Sequence, residues 1–167
     1  MRRFSNLTVM MILLLTTATC KKESSKASDP LESLATTNFS FLKSIQASNE
    51  ANQQRSSDYS APFEISKVDR NKELLTITVT YPEGCNDSKF MMIWNGLVLE
   101  SYPEVIFLYL KRTSNCGAAG NSATQALSIN LSTSLGDAAL AQRVKIILCN
   151  TSKKANTENS DIPVSSN

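Results

Sequence analysis

The chain has 167 residues, 41% hydrophobic and 7% aromatic, with 17 basic and 15 acidic side chains and a formal charge of +2. Arg2 and Arg3 lie in a segment expected to be removed, which leaves a mature chain with as many basic as acidic groups. That balance argues against a nucleic-acid binder, which carries a basic patch or stripe. With no histidine at all, a Ser-His-Asp triad, a Cys-His pair and a histidine-ligated metal site are impossible.

Residues 1–19 read as a signal peptide. Arg2 and Arg3 form a positive start, Val9 to Leu15 an apolar run, and Thr16 to Thr19 a small-residue stretch that ends at Cys20. The run is far shorter than the ~20 residues that a bilayer-spanning helix needs, so a cleaved leader is expected. The stretch Leu15-Thr16-Thr17-Ala18-Thr19-Cys20 resembles the bacterial lipobox, although Thr19 stands where Gly, Ala or Ser is usual and Thr17 where Leu is usual. The resemblance implies lipidation of Cys20 and cleavage just before it. The polar Lys21-Lys22-Glu23-Ser24-Ser25 looks like the tether of Gram-negative lipoproteins. By analogy with enteric bacteria, where Asp after the cysteine retains the protein in the inner membrane, Lys21 implies the outer membrane. The alternative is a secreted, non-lipidated domain.

Residues 20–60 are rich in Ser, Asn, Gln, Ala and Lys and read as a lipidated cysteine followed by a flexible, disordered stalk. An apolar patch interrupts it at Leu31, Leu34, Phe39, Phe41, Leu42 and Ile45. The spacing of Phe41, Leu42 and Ile45 fits one face of a short helix that Ser40 could cap. Ser40 and Lys43 also match the S-x-x-K pattern of penicillin-binding enzymes. The companion motifs are absent, so the match is read as chance.

From Phe63 onward the apolar pattern has period two, and residues 61–150 are expected to form one β domain. The strands are Phe63 to Val68, Leu74 to Tyr81, Phe90 to Trp94, Leu97 to Glu100, Val105 to Leu110, Ala126 to Leu131 and Val144 to Cys149. Leu75, Ile77, Val79 and Tyr81 share one face against Thr76, Thr78 and Thr80; Phe90, Met92 and Trp94 share another. Asn95-Gly96 signals a hairpin turn whose return strand is Leu97 to Glu100. Val105 to Leu110 is apolar on both faces and belongs in the middle of the fold. Asp137 to Gln142 fits one helical turn between sheets. The fold class is therefore all-β, a small immunoglobulin-like β-sandwich of about seven strands. Residues 151–167 read as a polar, disordered tail.

Cys85 and Cys116 sit beside turns, and joining them closes a loop of about 30 residues, worth ~3–4 kcal/mol in the chain-entropy model. Cys149 ends an apolar strand and reads as a buried free thiol; pairings of Cys149 with Cys85 or Cys116 are the alternatives. These spacings lack the paired C-x₂₋₄-C geometry of zinc sites, so no metal is expected. The stretch from Leu74 to Ala118 resembles a group of small uncharacterised lipoproteins of Bacteroidetes-type bacteria. The shared features are Leu75 to Tyr81, Gly84-Cys85, the aromatic strand Phe90 to Trp94, Pro103, Cys116 with Ala118, and the late strand Leu127 to Leu131. The group usually carries a histidine where this chain has Ser88, and Cys149 is extra. The resemblance supports the Cys85–Cys116 pair and implies no activity.

No catalytic residue and no cofactor is expected. An enzyme without histidine would need carboxylate pairs such as Glu83 with Asp87 or Glu100 with Glu104, and turn carboxylates usually serve only as solubilising charges. The expected function is a non-enzymatic envelope or surface module, held to the membrane by the N-terminal lipid, with a protein or glycan ligand and no nucleic acid. Candidate contact residues are Asn86, Asp87, Trp94, Asn95, Tyr102, Arg112 and Asn115, aromatics being favoured at hot spots. Trp94 also fits a core position beside Phe90 and Met92, and Asp87 and Arg112 a solvated rim pair. A structural subunit of an envelope complex is the other expectation.

Overall fold

The computed structural model describes residues 38–57, 61–83, 87–115 and 120–165. The leader, Cys20, Cys85, Asn86 and Cys116 lie outside these residues. The described elements are β1 (Phe39–Lys43), α1 (Ile45–Ser57), β2 (Glu64–Asn71), β3 (Leu74–Pro82), β4 (Lys89–Trp94), β5 (Val105–Thr113), β6 (Ser122–Asn130), α2 (Leu131–Leu135), α3 (Ala138–Arg143), β7 (Lys145–Asn150) and β8 (Asp161–Val164). They form a five-stranded sheet in the order β1-β4-β5-β7-β8 and a three-stranded sheet in the order β2-β3-β6.

Alternation builds the core. Leu75, Ile77 and Val79 of β3 are wholly buried, and Leu127 and Ile129 of β6 are buried beside them. They meet Phe90, Met92 and Trp94 of β4, Ile106, Leu108 and Leu110 of β5, and Ile146 and Leu148 of β7 from the other sheet. The intervening Thr76 and Thr80 face outward and pair with Ser128 and Thr124 across the ladder at 3.1 and 3.3 Å. Period two thus places apolar side chains between the sheets and hydroxyls in water.

The architecture is mostly β with eight strands, and it departs from the immunoglobulin pattern. The three-stranded sheet is antiparallel, but the five-stranded sheet is mixed: β1 runs parallel to β4 and β5 parallel to β7. The immunoglobulin sandwich is built from antiparallel sheets. The parallel β5–β7 step needs a crossover, and β6, α2 and α3 supply it. Asp137 caps α3, its Oδ1 accepting from Leu140 N at 2.9 Å, so the expected helical turn is present.

Four expectations are corrected. The folded part begins before Ala61, since β1 and α1 lie in the expected stalk. Phe39 and Phe41 alternate toward the core as part of a strand, so Phe41 and Leu42 are not on a helix. The polar α1 packs on the outer face of β4 and β5 through Ser48, Ala51 and Arg55, which share one helix face. Beyond Asn150, Asp161–Val164 adds an edge strand to β7, with Val164 and Ser160 buried. Finally, Leu97 to Glu100 makes no return strand. The antiparallel partner of β4 is β5, and Leu99 forms only an isolated bridge to Val105.

Two buried arginines tie loops to the sheets. Arg70 donates to Val144 O at 2.6 Å and Ala141 O at 2.5 Å, satisfying carbonyls at the end of α3. Arg55, 2% exposed, pairs with Asp161 Oδ1 at 2.9 Å and donates to Ser160 O and Lys153 O at 3.2 and 3.3 Å, pinning α1 to the segment before β8. Burial favours the neutral forms of both partners. Hydrogen bonding outweighs it: Arg55, Ser160 and Asn156 hold the Asp161 carboxyl well below its ordinary 3.8. Cys149, on β7, is a buried free thiol. Burial first, and the Asp161 carboxylate second, push its ionisation far above the ordinary value of 9.0.

Candidate functional site

The connection from β4 to β5, residues 95–104, is the most exposed apolar feature at one end of the domain. Its base is fixed. Trp94 is buried, and its Nε1 donates to Leu97 O at 3.2 Å. Asn95 Oδ1 accepts from Leu97 N at 2.9 Å, closing a turn through Gly96, whose φ of +81° favours glycine. The Lys43 ammonium lies 4.8 Å from the Trp94 ring centroid and covers this turn. At the far side Ser101 Oγ donates to Pro103 O at 2.7 Å, and Arg143 grips both carboxylate oxygens of Glu104 at 2.5 and 3.3 Å. A cavity of about 480 Å³ lies among Ser101, Tyr102, Pro103, Glu104 and Arg143.

Above that frame stand Leu97 and Leu99, 57% and 50% exposed, and Tyr102, fully exposed. Val98 turns inward to the core. The other large exposed hydrophobics among the described residues are Leu42, Ile45 and Leu74. All lie at the same end. Lys43 pairs with Trp94, so the β1–α1 junction stands beside this loop. Tyr81 at the far end of β3 meets Phe90 at the start of β4, with ring centroids 5.3 Å apart, so Leu74 at the start of β3 belongs to the Trp94 end. The chain enters the fold at the opposite end, where Asn38 O accepts from Phe90 N at 2.7 Å and Asn38 Nδ2 donates to Ser88 O at 3.0 Å.

The sequence candidates therefore divide between two ends. Asn95 and Tyr102 belong to the exposed apolar end, with Trp94 beneath them as a core residue. Asp87, Arg112 and Asn115 belong to the entry end; Asn86 lies outside the described residues. Asp87 accepts from Asn115 N at 2.9 Å and Ser114 Oγ at 3.3 Å, joining the two loops that flank it. Arg112 is 1% exposed and offers no contact surface. It donates to Pro62 O and Ser88 Oγ, each at 2.8 Å, and stacks 4.8 Å from the Tyr81 ring centroid. Burial lowers its pKa, against the pull of Tyr81 and Asp87.

Ser40 and Lys43 sit an odd number of residues apart on a strand, so their side chains point to opposite faces and do not act together. Among the described residues no group of three or more Cys, Asp or Glu side chains converges as a metal site. Sequence reasoning missed Leu97 and Leu99, because the Asn95-Gly96 hairpin signal made the apolar run Leu97-Val98-Leu99 read as a return strand. Pro103, close after the run, was the available signal that the chain bends there.

No family model and no curated protein matches this chain. Crystal structures similar to it include two from Bacteroides species. One is a DUF1344 protein of unknown function from Bacteroides vulgatus, 11% identical with a TM-score of 0.46, the match covering 77% of this chain and 56% of that one. The chain thus spans little more than half the length of that protein. The other is described as a "putative lipoprotein" from Bacteroides fragilis, 11% identical with a TM-score of 0.41, covering 75% of this chain and 67% of that one.

Proposed function

We propose that the chain is an exported lipoprotein, cut before Cys20 and held by lipid on that residue in the outer membrane, whose β domain is a non-enzymatic binding module. The leader carries this reading: an apolar run too short to span a bilayer ends in small residues at a thiol. Residues 21–37 then serve as the tether, with a reach of up to about 60 Å if extended. Because the chain enters beside Asn38, the end bearing Leu97, Leu99 and Tyr102 lies farthest along the strands from the point of attachment. That exposed end is the contact surface. Solvent-exposed aliphatic and aromatic side chains grouped at one end, on a frame held by Trp94 and Glu104, suit association rather than catalysis.

The same reading pairs Cys85 with Cys116. The support is the Asp87 carboxylate, which holds Ser114 and Asn115 and so draws together the chain positions next to both cysteines. An oxidising envelope would permit the bond. Mass spectrometry of the mature N-terminal peptide tests the anchor. An acylated peptide beginning at Cys20 is expected; an unmodified peptide containing Cys20, or a retained leader, would overturn it.

A further inference from the structure

We propose that the ligand of the 95–104 end is a lipid surface: Leu97, Leu99 and Tyr102, with Ile45 beside them, insert shallowly into the interface of a bilayer. This deepens the binding-module reading and rests on it, and it is tested below without the acyl anchor.

Four observations carry the choice of lipid over a folded partner. The exposed side chains come from separate segments: Leu42 and Ile45 flank the β1–α1 junction, Leu97, Leu99 and Tyr102 stand on the β4–β5 connection, and Leu74 starts β3. They form projecting knobs, which a fluid bilayer admits singly, whereas a folded partner must offer a matching hole for each. Tyr102, wholly exposed, has an apolar ring and a polar tip, the side-chain type that settles at a membrane–water boundary. The solvent-accessible charges of this end are of both signs, Lys43, Lys72, Arg143 and Lys145 with Glu73, Glu100, Glu104 and Asp137, while Arg70 is buried against carbonyls. Such a surface gives no electrostatic selection for a charged partner and suits zwitterionic lipid. Finally, the tether is long enough. The nine-residue β5 spans roughly 30 Å at strand rise, about half the reach of residues 21–37, so the exposed end can turn back to the bilayer that holds the lipid.

The full mature chain carrying Cys20→Ser, and therefore without lipid, is mixed with phosphatidylcholine vesicles with and without phosphatidylglycerol, at low and high salt. Co-flotation is expected on phosphatidylcholine alone, unchanged by phosphatidylglycerol or salt. The double variant Leu97→Ser, Leu99→Ser removes only half-exposed side chains, so it retains the fold, and should weaken partitioning by about tenfold or more. Trp94, the single tryptophan and hydrogen-bonded to Leu97 O, reports on the site: vesicles with brominated acyl chains should quench its emission, and less so in the double variant. Absence of flotation, a requirement for phosphatidylglycerol, or indifference to the double variant overturns the proposal. So does sedimentation as a dimer that the double variant dissociates, which would make this end a contact between copies. Because the tested chain has no lipid, failure here and failure of Cys20 acylation are read separately.

Discussion

Replacing Arg55 by Met should cost the domain about 2–4 kcal/mol at neutral pH. The substitution keeps side-chain bulk on the buried face of α1 and removes the guanidinium. Breaking a fully buried ion pair from one side costs ~3–5 kcal/mol, because the remaining charge stays desolvated. The Asp161 side chain is 27% exposed and keeps bonds from Ser160 Oγ at 2.7 Å and Asn156 N at 3.1 Å, which moves the expectation toward the lower part of that range. Lys153 O loses its bond from the guanidinium as well, while Ser160 O keeps only the bond from Asn150 N at 2.8 Å. Set against a total of ~5–15 kcal/mol for an ordinary domain, the loss is large. Urea unfolding followed by circular dichroism measures it, with the slope checking that the transition stays two-state. The pH dependence supplies a second readout. Asp161 titrates below its ordinary 3.8 in the folded state, so its contribution is present above that value and is lost as pH falls below it. The gap between the native chain and Arg55→Met should therefore narrow when the measurement moves from pH 7 to about pH 3. A loss below about 1 kcal/mol at neutral pH, or a gap that does not narrow in acid, would refute the assignment of Arg55 as the pin of α1.

Three further outcomes are expected. Arg112→Lys should destabilise by about 2–3 kcal/mol in thermal unfolding, since an ammonium cannot reach Pro62 O and Ser88 Oγ while lying over Tyr81; a change under about 0.5 kcal/mol would contradict this. The Cys149 thiol should resist a thiol-specific disulfide reagent at pH 8 in the folded Cys20→Ser chain, because burial keeps it protonated and screened. In urea without reductant that chain should then release a single thiol per molecule; three would show that Cys85 and Cys116 are not joined. Gly96→Ala should cost about 1 kcal/mol in the same unfolding assay, because φ is +81° there and the new methyl would lie 2.7 Å from Lys43 Cε; an unchanged midpoint would mean that the Lys43 side chain moves away freely.

What was legible in the sequence was whatever the hydrophobic period alone decides. Leu75, Ile77 and Val79 against Thr76, Thr78 and Thr80 leave little freedom in how β3 is turned, and β4, β5 and β7 follow the same rule. Extending the β5 alternation by one more step places Arg112 on the inner face after Ile106, Leu108 and Leu110, so its burial could have been read from spacing rather than from charge. The misses are elements stabilised by distant partners. α1 has no apolar stripe and carries the weak helix formers Ser and Asn, and it is secured through Arg55 by residues about a hundred positions away. β8 contains Pro163 and only four residues, which an edge strand tolerates and a sequence window cannot see. The contact surface was half legible. Tyr102 and Asn95 stand out by residue type, whereas Leu97 and Leu99 fall in a short apolar run after a hairpin signal and read as strand.

The position of β1 also has a mechanical consequence. The chain reaches the domain through a five-residue edge strand lying parallel to β4, with rungs from Phe39–Phe90 to Lys43–Trp94. A pull on the preceding segment, directed along the strand, loads those rungs in shear, so they must yield together instead of opening one after another. Phe39 and Phe41, seated against the core, add drag along the same direction. A pull applied before Phe39 thus passes into the five-stranded sheet in shear, the geometry in which a ladder resists best.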